Sequence, residues 1–301
     1  MENFNSNKEK MNLQEVSNEI KEILEEKRKE LSLSFIEEEH IYFMKDKDGI
    51  IKSNFPSVSK VIKKFHPHFD AESKALQMAN GDPEGQQELL NEWKKSSLLS
   101  TNLGSRTHFI LEKNLIEQYG NYKELRQPIF TVNDEQILRS DNMILAGNNF
   151  INLMHERNCV LLDTEMVLGH YDLGYTGQPD KVWLLSDKNG EPSLCITDWK
   201  TNKPENFLPK WFTKKMYKPF NNLDDTALSH YYVQLPLYGR LILKMLEGTK
   251  YENIKLLGCI VVLLKDDATF EEYRIPKSII ETVFNLDIGF YLESKKYSFV
   301  D

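Results

Sequence analysis

The stretch Ile196-Thr197-Asp198-Trp199-Lys200-Thr201 constrains this chain more than any other. It closes a run, Ser193 to Thr201, that reads as a strand, and side chains two apart on a strand share a face. Asp198 and Lys200 therefore project together, while Thr197 and Trp199 point the other way. A strand that places two opposite charges beside Leu194 and Ile196 must give them partners, because an unpaired buried charge is costly. An isolated D-x-K is otherwise a structural ion pair at a strand end.

A second carboxylate can reach the same patch. Asp180 follows Gly177-Gln178-Pro179 early in the preceding strand, Gly177 to Leu185, and the turn Asp187-Lys188-Asn189-Gly190-Glu191-Pro192 joins the two strands. Antiparallel pairing would bring Asp180 towards Asp198. Two converging carboxylates make a hard oxygen site that suits Mg²⁺ or Mn²⁺. Beside them, the Lys200 ammonium can orient a water or stabilise phosphoryl oxygens. With Leu161 to Leu168 as a third strand, a three-stranded meander is expected.

The remaining pattern places elements around this meander. Residues 1–30 carry Leu13, Val16, Ile20, Ile23 and Leu24 at near-helical spacing among alternating charges, which predicts a helical arm packed along one edge. A hairpin follows, from Ile36 through Met44 to Ile50 and Ile51, and then a helix with Ser57 as its N-cap. His66 and His68 flank a proline at the exit of that helix; with no third ligand nearby, they are read as not binding metal. Residues 70–160 are mostly helical, with breaks at Gly81-Asp82-Pro83 and near Gln127-Pro128. In that region Gly104 is expected to open a helix on which His108 and Glu112, four apart, share a face. Downstream come an irregular segment 202–228, a helix from His230 to Leu246, a strand Lys255 to Leu264, a short strand Glu271 to Ile275 and a closing helix from Pro276 to about Glu293. The domain plan is thus an arm over 1–30 and a single domain over 31–301, mostly helical in 31–160 and carrying the core in 161–293.

Composition limits the function classes. The longest apolar run, around Leu256 to Leu264, is too short to cross a bilayer. The first thirty residues hold eight glutamates against six lysines and arginines, unlike a signal or transit peptide, so a soluble, cytoplasmic protein without a membrane partner is expected. Cys159, Cys195 and Cys259 lie far apart among apolar neighbours and read as buried thiols, with no CxxC pair to hold an iron–sulfur cluster. A net charge of −8 argues against a protein that coats nucleic acid, although metal-binding carboxylates are themselves acidic.

Taken in order, Glu165, Pro179-Asp180, Asp198-Trp199-Lys200, Gln234 and Tyr238 resemble the PD-(D/E)xK nucleases, and within them the RecB-like exonuclease branch. The segment Phe55-Pro56-Ser57-Val58-Ser59 is similar to the opening of phage exonucleases, exonuclease VIII and the mitochondrial genome maintenance exonuclease. The resemblance implies a restriction-endonuclease-like α/β core, a central mixed sheet flanked by helices, with an N-terminal helical extension. It implies a Mg²⁺- or Mn²⁺-dependent deoxyribonuclease acting as an exonuclease on DNA ends or single strands. The implied setting is recombination, repair or replication in a phage-infected or prokaryotic cell, alongside a single-strand-annealing or recombination protein. By the same resemblance His108 and Glu165 join Asp180 and Asp198 around the metal, and Gln234 and Tyr238 complete the catalytic set. A structure-specific or restriction-type endonuclease, or a non-catalytic DNA-binding module, would use the same fold.

Physically, Gln234 and Tyr238 stand one helical turn apart, so an amide and a phenol can meet one substrate or brace the lysine. Pro236 between them disfavours a helix there and would let the helix begin near Leu235. Ser57 and Ser59 at a helix start can bind phosphate or simply cap the helix. From Lys200 to Lys218 there are six lysines against one glutamate, interleaved with Phe207, Trp211, Phe212 and Tyr217. Lysines with aromatic platforms suit a single strand, which makes Thr201, Lys203, Lys210, Trp211, Lys214 and Lys215 candidate nucleic-acid contacts. A surface loop whose aromatics pack onto the core accounts for the same pattern.

Overall fold

The computed structural model describes residues 12–119, 128–210 and 213–293. Helix α1 (Leu13–Glu30) starts at Asn12, whose side chain accepts from the Gln14 amide. A small antiparallel sheet follows, β1 (Ser34–Ile36), β2 (Ile41–Lys45) and β3 (Ile51–Lys52), and then the short helix α2 (Val58–Ile62). Helices α3 (Ala71–Met78), α4 (Pro83–Tyr119) and α5 (Asp134–Glu156) fill the helical region, and α5 opens with a full capping box between Asn133 and Gln136.

The centre is a mixed five-stranded sheet. Its strands are β4 (Val160–Thr164), β7 (Lys181–Ser186), β8 (Pro192–Lys200), β9 (Lys255–Leu264) and β10 (Phe270–Arg274), in the order β10-β9-β8-β7-β4. The expected meander is present as β4, β7 and β8, all antiparallel. It is interrupted by an extra hairpin, β5 (Leu168–His170) and β6 (Tyr175–Gly177), which takes the end of the expected first strand and the start of the second. Strand β9 pairs parallel to β8 after helix α6 (Ala227–Met245) has crossed one face. Helices α7 (Lys277–Phe284) and α8 (Ile288–Glu293) stand where one helix was expected.

Each face of the sheet is covered, which is why β7, β8 and β9 read as nearly continuous apolar runs. Val182, Leu184, Leu194, Ile196, Val261 and Leu263 pack against α6, α1 and α7. Trp183, Cys195, Trp199, Ile260 and Val262 pack against α4 and α5. Helix α1 packs on this layer through Val16, Ile20 and Leu24, which are buried within the first of these clusters. Gly147 on α5 lets the helical layer close, since a β-carbon there would stand 2.4 Å from Leu111 Cδ1 on α4. All three cysteines are buried and free, and among the described residues no helix is long and apolar enough to cross a membrane.

Candidate active site

The alternation of β8 sets the first part of the site. Thr197 and Trp199 face the α4–α5 layer, where the Trp183 indole N–H donates to Thr197 Oγ1 at 2.9 Å. Asp198 and Lys200 face α6, where Lys200 Nζ lies 4.3 Å from the centre of the Tyr231 ring. Lys200 Nζ is 2.8 Å from Asp198 Oδ2. The other oxygen, Asp198 Oδ1, is buried and has no hydrogen-bond donor among the described residues.

Asp180 enters from the start of β7. Its Oδ2 is 3.2 Å from His108 Nδ1 on α4 and 3.3 Å from Lys181 Nζ. Asp180 and Asp198 act on each other, and their carboxyls shift in opposite directions. Burial raises Asp198, the Asp180 charge adds to it, and Lys200 only partly compensates, so its carboxyl is pushed up to about 8. Burial also works against the charge of Asp180, but Lys181 and His108 outweigh it and hold that carboxyl well below its ordinary range. For Lys200, burial opposes the ammonium, yet Asp198, Tyr231 and Asp180 together keep it charged. The arrangement is two neighbouring acidic groups whose ionisation is driven apart, with Lys181 and Lys200 beside them.

Helix α6 supplies the far wall. Gln234 Nε2 donates to Tyr238 Oη at 2.8 Å, so the two share a face as their spacing requires. Burial raises the Tyr238 phenol, and both aspartates act on it in the same direction, which places this pair in the field of the site. Pro236 does not set the helix start: α6 runs through it from the cap at Thr226, with Pro236 buried inside. Gly177 is the reason Tyr238 can approach. A β-carbon there would meet Tyr238 Cε1 at 2.6 Å and Val58 Cγ2 at 2.8 Å, so only a glycine fits between α6 and α2.

Several expected placements differ. Gly104 does not open a helix but lies inside α4, where its missing side chain admits Thr201, with Oγ1 3.0 Å from a β-carbon built there. Glu165 is not on the first core strand. It sits one residue beyond β4 in the left-handed region (φ 48°), with its amide donating to the Asp180 carbonyl at 3.1 Å and its carbonyl accepting from Gln178 Nε2 at 2.9 Å. Its charge acts on Tyr42. On the His108 helix, Glu112 instead accepts from Thr164 Oγ1 at 3.1 Å. Ser57 is a buried N-cap, 3.4 Å from the Lys60 amide and bridged to Thr176, whereas Ser59 is exposed.

The lysine-rich segment divides by role. Lys203, Lys210 and Lys214 are exposed, whereas Lys215 is paired with Asp224 at 2.8 Å. Phe207 is fully buried against Tyr231 and Tyr273 and offers no platform. Tyr217 is exposed, and Trp211 and Phe212 lie outside the described residues.

Two site residues escaped the sequence reading. Lys181 is 2% exposed, with Nζ 3.3 Å from the centre of the Trp199 ring and beside Asp180. A lysine that begins an apolar strand immediately after an aspartate was its signal. Tyr231 lies three residues before Gln234, one turn away on the same helix, and that spacing was legible. No family model matches the sequence, and no curated protein matches it closely enough to count as a relative.

Proposed function

We propose that this protein is a metal-dependent nuclease built on a restriction-endonuclease-like core. Within that class we assign it to the exonucleases that act on DNA ends or single strands. The observation that carries the reading is the buried Asp198 oxygen without a donor, next to a second carboxylate and a charged lysine. A fold that needed only an ion pair has no use for that oxygen, because an unsatisfied buried acceptor is costly. A hard divalent cation held by Asp180 and Asp198 would satisfy both carboxylates, so the residues fit Mg²⁺ or Mn²⁺.

Such an ion supplies Lewis-acid neutralisation of the phosphate and activation of a water. The chain's own groups do the rest. Lys200, held as an ammonium, donates to a phosphoryl oxygen or to the attacking water and does not act as the base. His108 fixes Asp180 from α4, and the ring of Tyr231 fixes Lys200 from α6. Gln234 and Tyr238, hydrogen-bonded to each other, wall the site from α6. The exposed lysines 203, 210 and 214 give the phosphate contacts that a net charge of −8 does not provide elsewhere.

End-labelled linear duplex, single-stranded and covalently closed circular DNA are incubated with Mg²⁺ or Mn²⁺. Linear substrates disappear while circles persist, and Lys200→Ala slows the reaction by on the order of 10²–10³-fold. Nicking of circles assigns the protein to the endonucleases instead. Intact substrates with both ions reject the nuclease reading.

A further inference from the structure

His66, read from sequence as a histidine without ligand company, has company in the fold. Its ring stacks on that of His230, with centroids 4.1 Å apart and planes 22° from parallel. His230 Nε2 lies 2.6 Å from Asp225 Oδ1. One ligand atom from each of the three lies within 4.8 Å of the others. The three come from separate pieces of chain: the exit of the 3₁₀ turn Lys63–Phe65, the residue before the α6 cap, and the first turn of α6.

The hydrogen bonding of His66 suits a metal ligand. His66 Nδ1 is 3.1 Å from the Pro67 carbonyl, which can only accept, so Nδ1 carries the proton. That leaves Nε2 with its lone pair, the tautomer a metal-binding histidine needs. Two imidazoles and a carboxylate converging from separate pieces of chain make a cation site. The group lines a cavity of about 400 Å³ whose other walls include Glu205, Lys210 and Thr213, so an ion has an entry path and room for a further ligand.

We infer that His66, Asp225 and His230 bind one transition-metal ion of the zinc class, at a site separate from Asp180 and Asp198. Two imidazoles and one carboxylate select Zn²⁺, Co²⁺ or a similar ion over Mg²⁺, which prefers oxygen donors throughout. Three protein ligands leave a coordination position towards the cavity, as in open rather than closed zinc sites. The ion would also tie the end of the lysine-rich segment to the rest of the fold. That segment is already held there by backbone bonds, from the Tyr217 amide to the Phe65 carbonyl and from the Asp225 amide to the Lys214 carbonyl, both 2.7 Å.

The test uses the whole protein and Co²⁺ as a visible probe, with Mg²⁺ in excess to occupy the hard oxygen site. Wild type and Asp198→Asn are both expected to bind one equivalent of Co²⁺ with ligand-field absorption, and Zn²⁺ is expected to displace it. His66→Gln and His230→Gln should each weaken binding at least about tenfold, with circular dichroism confirming that each is folded. Absence of the absorption in wild type overturns the site, whether or not either variant folds. So does a spectrum lost in Asp198→Asn, or one unchanged in both histidine variants. Because the assay reads neither DNA nor cleavage, its failure leaves the nuclease reading intact.

Discussion

Replacing Asp198 with asparagine keeps the shape of the side chain and removes its charge, which isolates the electrostatic strain of the site. A carboxyl raised from an ordinary 3.8 to about 8 is protonated in the folded chain and ionised in the unfolded one across that interval. The folded state therefore binds more protons, and wild-type stability falls as pH rises from about 4 to about 8. At 1.36 kcal/mol for each tenfold, the part lost between about pH 5.5 and pH 9 is roughly 3 kcal/mol at the upper limit. Relaxation of the surroundings reduces the realistic figure to about 1–3 kcal/mol. Asp180 does not confuse the comparison. Its carboxyl is held well below 3.8, so its stabilising share is complete throughout this range and would be lost only in stronger acid. Urea unfolding in the presence of a chelator, repeated across the range, gives the two slopes. Wild type should lose about 1–3 kcal/mol more than Asp198→Asn between the two ends. Parallel slopes, or a wild type that gains stability with pH, would refute the raised Asp198 carboxyl.

Three further outcomes follow from packing and charge. Gly177→Ala drives a β-carbon to within 2.6 Å of the buried Tyr238 ring and should cost about 1–3 kcal/mol; wild-type stability by urea unfolding would show that α6 can give way. Gly147→Ala gains helix propensity of about 1 kcal/mol but meets Leu111 at 2.4 Å, so net destabilisation is expected, and a stabilised variant would disprove a closed α4–α5 interface. Joint replacement of Lys203, Lys210 and Lys214 by alanine should lower the salt slope of single-strand binding by about 0.7 per lost contact, whereas Lys215→Ala, already paired with Asp224, should change it little; equal slopes would remove the segment from the DNA path.

What local pattern can carry was legible early. The common face of Asp198 and Lys200, the shared face of Gln234 and Tyr238, the meander and the buried thiols all follow from periods of two or 3.6, which depend on near neighbours alone. Where a local rule competed with packing, packing decided. Pro236 disfavours a helix, yet the buried side of α6 carries the helix through it. Glu165 continues an apparent strand, yet the chain turns left-handed there to make room for the β5–β6 hairpin. The apolar stripe Val16, Ile20 and Leu24, read from its spacing as a packing face, joins the main core.

The sequence by itself determined which residues could share a face: Asp198 with Lys200, and Gln234 with Tyr238. Only the tertiary structure decided that Asp180 meets His108 and Lys181, and that the oxygen left without a donor is Asp198 Oδ1. It alone brought His66 onto His230, across more than half the chain. The physical reason is that periodicity orients a side chain relative to its own element, whereas convergence depends on how elements pack, and packing is set by the summed burial of residues far apart in the chain.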